Sequence, residues 1–497
     1  MEKGKIRKWG EMGLMYREER LGKMDQKALE FSSSIEHDKN IFKYDILVDV
    51  AHVLNLCKSG YLKREEALEI INALREVART GFSGKFEDVH EAIEFEVTRI
   101  TKEGKRMHTG RSRNDEIATC LRMFARDKLL EIAENLIKLL STVLDLAERE
   151  DIIMPGFTHL QIAQPTRLSH HLLSYFDMLE RDLERAMEAF KRVNLCPLGS
   201  SAFASTSYEL DREYVARILG FDGVLEHSED AVSSRDFAIE AIFVCSSIML
   251  SLSRIAEELI LFSAFGFLNL PNDFASTSSI MPQKKNPDIA ELIRAKAGKA
   301  IGNLTSAMAI YKALPFSYNR DFQEINGILY ETLKIALDSV EIMNGMLSGI
   351  EFNRDLLERK SKEGFALATE VADMLVRNFR IPFRDAHRIV GRIVSQNMEI
   401  NAEVLERVAR DFGYEIKVEK SELDEVLDVR KAVERRRNIG GTARVEVERM
   451  LKKRREKVLS WKRVLKRLKR RISFNLSLME KEVSKLGGSL SVDWQES

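Results

Sequence analysis

Apolar residues return at every third or fourth position through most of this 497-residue chain, which is the spacing of amphipathic helices. After a loose start the pattern runs from Ile41 to Leu54, stops at Ser59-Gly60, and resumes from Arg64 to Ala78 before Gly81. Glu87 and Asp88 place acids at the head of another helix, where they complement its positive end. Long helices are predicted from Ile117 to Ala147 and from Thr166 to about Val193. No stretch alternates convincingly as a strand would. All eight prolines fall between Pro155 and Pro382, and most mark the breaks between helices. The pattern predicts an all-α fold: a helical domain over 1–109, a central bundle of long helices over 110–360, a small helical domain over 361–450, and a basic amphipathic extension over 451–497.

The tract from Phe237 to Leu270 is apolar nearly all round, which raises the question of a membrane span. Arg254, Glu257 and Glu258 interrupt it, and each half is shorter than the roughly 20 residues a span needs. A helix buried on most sides in a bundle fits better and implies an oligomer with a shared helical core.

The breaks carry the candidate chemistry. Ser276 to Glu291 is a loop of small polar residues running into a helix start, with Asn286 as N-cap, Pro287 at the first helical position and Asp288 behind it. Lys284 and Asn286 then sit where a carboxylate is welcome, and Glu291 lies about one turn inside the helix. His108 to Glu116 is rich in donors; Arg111, Arg113 and Asn114 could grip a carboxylate or simply form a capping, salt-bridged turn. His159, next to Thr158 in a break with two prolines and a glycine, is either structural or placed to enter a cleft. His170 and His171 are helix neighbours whose side chains diverge, so a shared metal is not expected. The small residues from Cys196 to Ser207 permit close approach of a ligand or another chain, or are loop filler.

Composition narrows the classes. Net charge is zero, so no global field selects nucleic acid or an acidic membrane. Cys57, Cys120, Cys196 and Cys245 are far apart, which suits a reducing cytoplasm better than disulfides or zinc. Met1 to Arg7 has no apolar core of the kind a signal peptide carries.

The run Ser-Ser-Ile-Met-Pro-Gln-Lys-Lys-Asn-Pro-Asp, starting at Ser278, resembles the signature of the fumarase/aspartase superfamily, in the form found in argininosuccinate lyases. The stretches starting at His108, Leu314, Ala368 and Ile381 are similar to that family in the same order, so the resemblance covers about Phe31 to Gly441. It implies a three-domain, all-helical subunit whose homotetramer has a core of about twenty helices. It also implies no metal or organic cofactor, and active sites each built from three subunits. The implied reaction is the last step of arginine synthesis, splitting argininosuccinate into arginine and fumarate. Adenylosuccinate lyase and a non-catalytic, crystallin-like relative are the alternatives within the same resemblance.

The chemistry of such an elimination can be argued. Removing a C–H proton beside a carboxylate leaves a carbanion that pushes a second negative charge onto that carboxylate, and fixed cations and dipoles must receive it. By resemblance Ser278 is the base, Lys284 and Asn286 hold the carboxylate, and His159, oriented by Glu291, assists protonation of the leaving guanidino nitrogen, where a water relay fits as well. An unaided serine is too weak a base, so closure of the loop must supply N–H groups to its alkoxide. Ser34, Arg113, Asn114, Thr158, Tyr318 and Gln323 match substrate-binding positions. Thr277 stands where the family usually has glycine, and Asn326 where many members have lysine, a contact Arg320 could supply instead.

The extension is a separate matter. Lys452 to Arg471 holds twelve Lys and Arg residues and one acid, Glu456, with Val458, Leu459, Trp461, Leu465, Leu468 and Ile472 near helical spacing. A helix packed on the protein with a charged outer face, or a surface for RNA or anionic membranes, both fit.

Overall fold

A computed structural model describes residues 18–22 and 24–490 of the chain; Met1 to Arg7, read above as lacking a signal peptide, lies outside the described residues. The N-terminal region contributes α1 (Phe42–Lys58), α2 (Arg64–Thr80) and α3 (Val89–Ile100). The bundle follows: α4 (Arg113–Arg149), the hairpin β1 (Ile153–Thr158) and β2 (Gln161–Arg167), α5 (Leu168–Val193), then α6 (Arg212–Ile218) and α7 (Asp236–Ala264). Next come the short strands β3 (Leu268–Asn269), β4 (Ser276–Thr277) and β5 (Lys285–Asn286). Then α8 (Asp288–Tyr311), α9 (Phe322–Ser348) and β6 (Glu351–Phe352) complete the bundle. α10 (Ala368–Phe379), α11 (Phe383–Ser395) and α12 (Ala402–Asp411) form a small apolar core of their own around Leu375, Ile389 and Leu405. The chain returns along α13 (Arg444–Lys485).

The all-α architecture holds, but one expectation is corrected. The twenty-helix core is not found: among the described residues the long helices are α4, α5, α7, α8, α9 and α13, and they bury one continuous apolar core. Three short two-stranded antiparallel pairs among the described residues, β1 with β2, β3 with β6 and β4 with β5, fill the breaks between helices. Pro155 faces Pro165 across the first pair. Proline donates no backbone hydrogen bond and cannot continue a helix, so this edge-to-edge ribbon is where the segment settles.

Helix α7 is the one described helix long and apolar enough to cross a membrane by length and composition. It lies instead inside the bundle, packed on α8, α9 and α5. Alanines 290, 297, 300 and 307 of α8 are buried, and the small side chains let the two backbones approach until Ser246 Oγ donates to the Ala300 carbonyl at 3.0 Å.

Candidate active site

At one end of the bundle the N-terminus of α4 meets the start of α9. Ser112 caps α4: its Oγ accepts from the Asn114 N–H at 3.3 Å, and Asp115 reaches back to the Ser112 N–H at 3.1 Å. The second Asp115 oxygen accepts the N–H groups of Gly199 and Ser201 at 2.9 and 2.8 Å. That one buried carboxylate therefore ties the small-residue loop to the helix head; burial pushes it up to about 6 against those hydrogen bonds. Asp115 is not among the expected site residues, because it carries no signal in sequence beyond the capping pattern.

Around this head stand the expected binding residues. Ser34 is buried and donates to Asp38 at 2.5 Å. Arg113 bridges to Asp88 at 3.1 Å, with Glu87 at 4.0 Å. Arg320 pairs with Glu87 and donates to the Ser32 carbonyl at 2.8 Å, and Gln323 donates to the same carbonyl at 3.0 Å. Asn114 donates to the Ala202 carbonyl at 3.0 Å. The Tyr318 ring meets Phe322 edge-on at 5.8 Å, while the buried Arg235 guanidinium lies 4.8 Å over the Phe322 ring. Burial raises the Tyr318 phenol, partly offset by Arg235 and Arg320. Asn326 is buried on α9, one turn before Tyr330.

Arg111 is not among the residues open to a ligand. It is buried, 2.5 Å from Asp49 and 2.9 Å from Glu116. Beside it His90 shares a 2.8 Å bond with Asp45; burial pushes the imidazole down, but the charge and hydrogen bond of Asp45, with Glu116 and Asp88, together outweigh it and hold the imidazole up at about 10. Asp45, His90 and Glu116 bring donor atoms within 4.8 Å of one another, the spacing of a metal site. A protonated imidazole is no ligand and Arg111 already occupies Glu116, so the set does not fit a cation and reads as a buried ion-pair network.

The opposite end of the bundle holds the expected chemical residues. His159 and Leu160 form the two-residue tip of β1–β2, both with left-handed backbone (φ +55° and +57°). Phe157 anchors the hairpin against Phe262, Phe265 and Phe267, with ring centres 6.2 to 6.3 Å away. Thr158 and His159 are exposed, and among the described residues His159 makes no hydrogen bond or ion pair. Strand β4 pairs Ser276 with Asn286 and Thr277 with Lys285, closing residues 278–284 into a loop. Within it Ser278 Oγ accepts the N–H groups of Met281 and Ile280 at 3.1 and 3.3 Å. Lys285 is spent on the loop base, donating to Leu270 O and to Asn272 at 2.8 Å. Lys284 and Glu291 are exposed. Asn286 does not cap α8 as expected: it is taken into β5, Pro287 precedes the helix and no side chain caps it.

The two sets do not meet. Their separation follows the bundle, about 36 Å along the 24 residues of α8 and about 55 Å along the 37 residues of α4. Ser278, Lys284, Glu291, Asn286, Thr158 and His159 share one end; Ser34, Arg113, Asn114, Tyr318, Arg320 and Gln323 share the other.

A family model described as lyase matches residues 18–302, and one described as argininosuccinate lyase C-terminal matches residues 365–434. The argininosuccinate lyase of Archaeoglobus fulgidus is 61% identical over 483 residues, covering 96% of this chain and 100% of that one. That of Methanothrix thermoacetophila is 47% identical over 448 residues, 88% of this chain and 92% of its own. Among solved structures, EDDS lyase in complex with formate superposes with a TM-score of 0.82 at 29% identity, covering 90% of this chain and 92% of that one. A class II fumarase from Schistosoma mansoni shares the fold, with a TM-score of 0.65 at 15% identity over 81% of this chain and 91% of its own. With matches of this extent along both the bundle and the small helical core, the chain belongs to the argininosuccinate lyase family of the fumarase/aspartase superfamily.

Proposed function

We propose that this protein is a carbon–nitrogen lyase that splits argininosuccinate into arginine and fumarate by elimination through a carbanion. The observation that carries the reading is the pair of N–H groups on Ser278 Oγ, at 3.1 and 3.3 Å, in the loop that also presents Lys284. Two fixed donors aimed at a hydroxyl oxygen stabilise its alkoxide, which brings a serine within reach of a C–H proton. Lys284 and Asn286 take the charge that builds on the substrate carboxylate. His159, with Glu291 to orient it, assists the leaving nitrogen. Ser34, Arg113, Asn114, Thr158, Tyr318, Arg320 and Gln323 hold the substrate.

These roles require more than one chain, because a rigid bundle separates them. The proposed assembly is a homotetramer in which three subunits contribute to each site, the bundles packed so that the Ser278 end of one lies beside the Arg113 end of another. Exposed apolar residues on two helices that pack together support it. Phe243 and Leu250 of α7 and Leu292, Ile301 and Met308 of α8 are exposed apolar residues, and Gly298 and Gly302 have open space beside them. The subunit is divided as 1–109, 110–360, 361–450 and 451–497, and the four free cysteines support a reducing, cytoplasmic setting.

The test is to supply argininosuccinate and follow fumarate by its ultraviolet absorbance. Appearance of fumarate and arginine in equal amounts supports the reading; release from adenylosuccinate instead, or from neither, refutes it.

A further inference from the structure

Helix α13 faces two ways. Leu451, Val458, Leu465, Ile472 and Met479, seven residues apart, are buried, and the helix packs on α4, α6 and α5 along that seam. Arg454 pairs with Asp177, Arg455 with Asp145 and Glu148, Lys457 with Glu180, Lys469 with Glu134, and Arg471 with Asp222. These five flank the seam and satisfy acids of α4 and α5 beneath and Asp222 in the loop after α6. Of the twelve cations between Lys452 and Arg471, seven remain: Lys452, Lys453, Lys462, Arg463, Lys466, Arg467 and Arg470. All seven are exposed and, among the described residues, none has an acidic partner. Only Glu456 interrupts their ridge.

We propose that this outer ridge of α13 binds the phosphodiester backbone of double-stranded nucleic acid, without regard to sequence and apart from the lyase site. The ridge from Lys452 to Arg470 is about 27 Å long at 1.5 Å per residue. One strand of a duplex presents about eight phosphates over that length, against seven cations here. A rigid helix holds them in register, so binding orders little besides the side-chain tips. Insertion into a lipid surface would need the apolar seam, which α4, α5 and α6 already cover, and the ridge itself offers only the isolated Leu459 and Phe474.

The experiment uses the full-length protein and a labelled 30-base-pair DNA duplex, titrated from about 50 to 300 mM salt. The expected result is saturable binding whose logarithm falls linearly with log salt, with a slope of about −4 to −6. Replacing Lys462, Arg463, Lys466 and Arg467 together by Gln keeps helix-forming side chains on the surface. That variant is expected to bind at least tenfold more weakly at 50 mM salt, with a shallower slope and unchanged fumarate release and oligomer size. If the quadruple variant does not fold, Lys466→Gln with Arg467→Gln is expected to give a smaller loss in the same direction. Equal binding by folded variant and parent overturns the proposal, as does absence of binding at 50 mM salt. A change of oligomeric state in the folded variant assigns the ridge to assembly and also overturns it. Tighter binding to vesicles with one third phosphatidylserine than to the duplex makes the ridge a lipid surface and overturns it too. Because lyase activity is read separately, failure here and failure of the lyase reading are distinguishable.

Discussion

The two ends of the bundle are built on opposite principles. At the Arg113 end nearly every candidate side chain is already held: Ser34 by Asp38, Arg113 by Asp88, Arg320 by Glu87, Gln323 by the Ser32 carbonyl. At the Ser278 end His159 stands exposed on a hairpin tip and Lys284 on a closed loop beside a half-buried Ser278, and His159 has no partner among the described residues. Binding groups gain from preorganisation, since a fixed donor pays no ordering entropy when substrate arrives. Groups that must move protons in a water-excluded site gain from being delivered late, by a loop or a neighbouring chain. In the proposed assembly this contrast makes one end of each subunit a prearranged receptor and the other a group delivered to a neighbour's.

The sharpest way to break that contrast is Ser278→Ala. It removes the oxygen on which both loop N–H groups converge, so fumarate release is expected to fall at least about a thousandfold with oligomer size unchanged. A loss below tenfold would take the base away from Ser278. Next in effect is the double change Leu292→Arg with Met308→Arg on the exposed face of α8. Two buried charges without partners are expected to disrupt the assembly, giving smaller species by light scattering and a loss of activity that tracks dissociation. Retained size with full activity would remove this face from the interface.

A third test addresses the division itself. Co-assembly of equal amounts of Ser278→Ala and Arg113→Gln subunits, each inactive alone, is expected to restore about a quarter of the sites, because each site draws the two residues from different chains chosen at random. If both came from one chain no site would be whole and the mixture would stay inactive.

The smallest effect concerns the finished end. Burial raises Asp38 from 3.8 to about 6, offset in part by His90 and by the Ser34 hydrogen bond. The folded state therefore holds this proton more tightly than the unfolded chain, and stability falls as pH rises from about 4 to about 6. At about 1.4 kcal/mol for each tenfold change in proton affinity, the penalty above pH 6 is about 3 kcal/mol. Asp38→Asn keeps an acceptor for Ser34 and is expected to raise the thermal midpoint at pH 8 while leaving it nearly unchanged at pH 4. An equal shift at both pH values would mean that Asp38 does not titrate in this range.

Much of this is legible in the sequence alone. The long helices follow from apolar spacing, and the functional breaks from proline, glycine and polar runs. The catalytic candidates follow from motifs in family order rather than from physics alone. What stayed hidden was set by tertiary contacts. Pro155 and Pro165 signalled a break but not the hairpin that puts His159 at a left-handed tip. Asn286 had the chemistry of a cap, yet β4 claimed its backbone. Arg111 and Arg113 look alike in sequence, two residues apart, but the first is buried in an ion-pair network and the second faces the cluster of candidate binding residues. Leu459 fits a helical period and still points outward, because the seam of α13 keeps a seven-residue repeat that excludes it.

In the proposed assembly the length of α4 becomes part of the chemistry. Adding one residue anywhere in its 37 would turn everything beyond it by about 100° and advance it by about 1.5 Å. A neighbour seated on both ends would then receive a hairpin aimed at empty solvent. An assembly of that kind tolerates longer surface turns, while its helices act as rulers whose graduations cannot be altered by one.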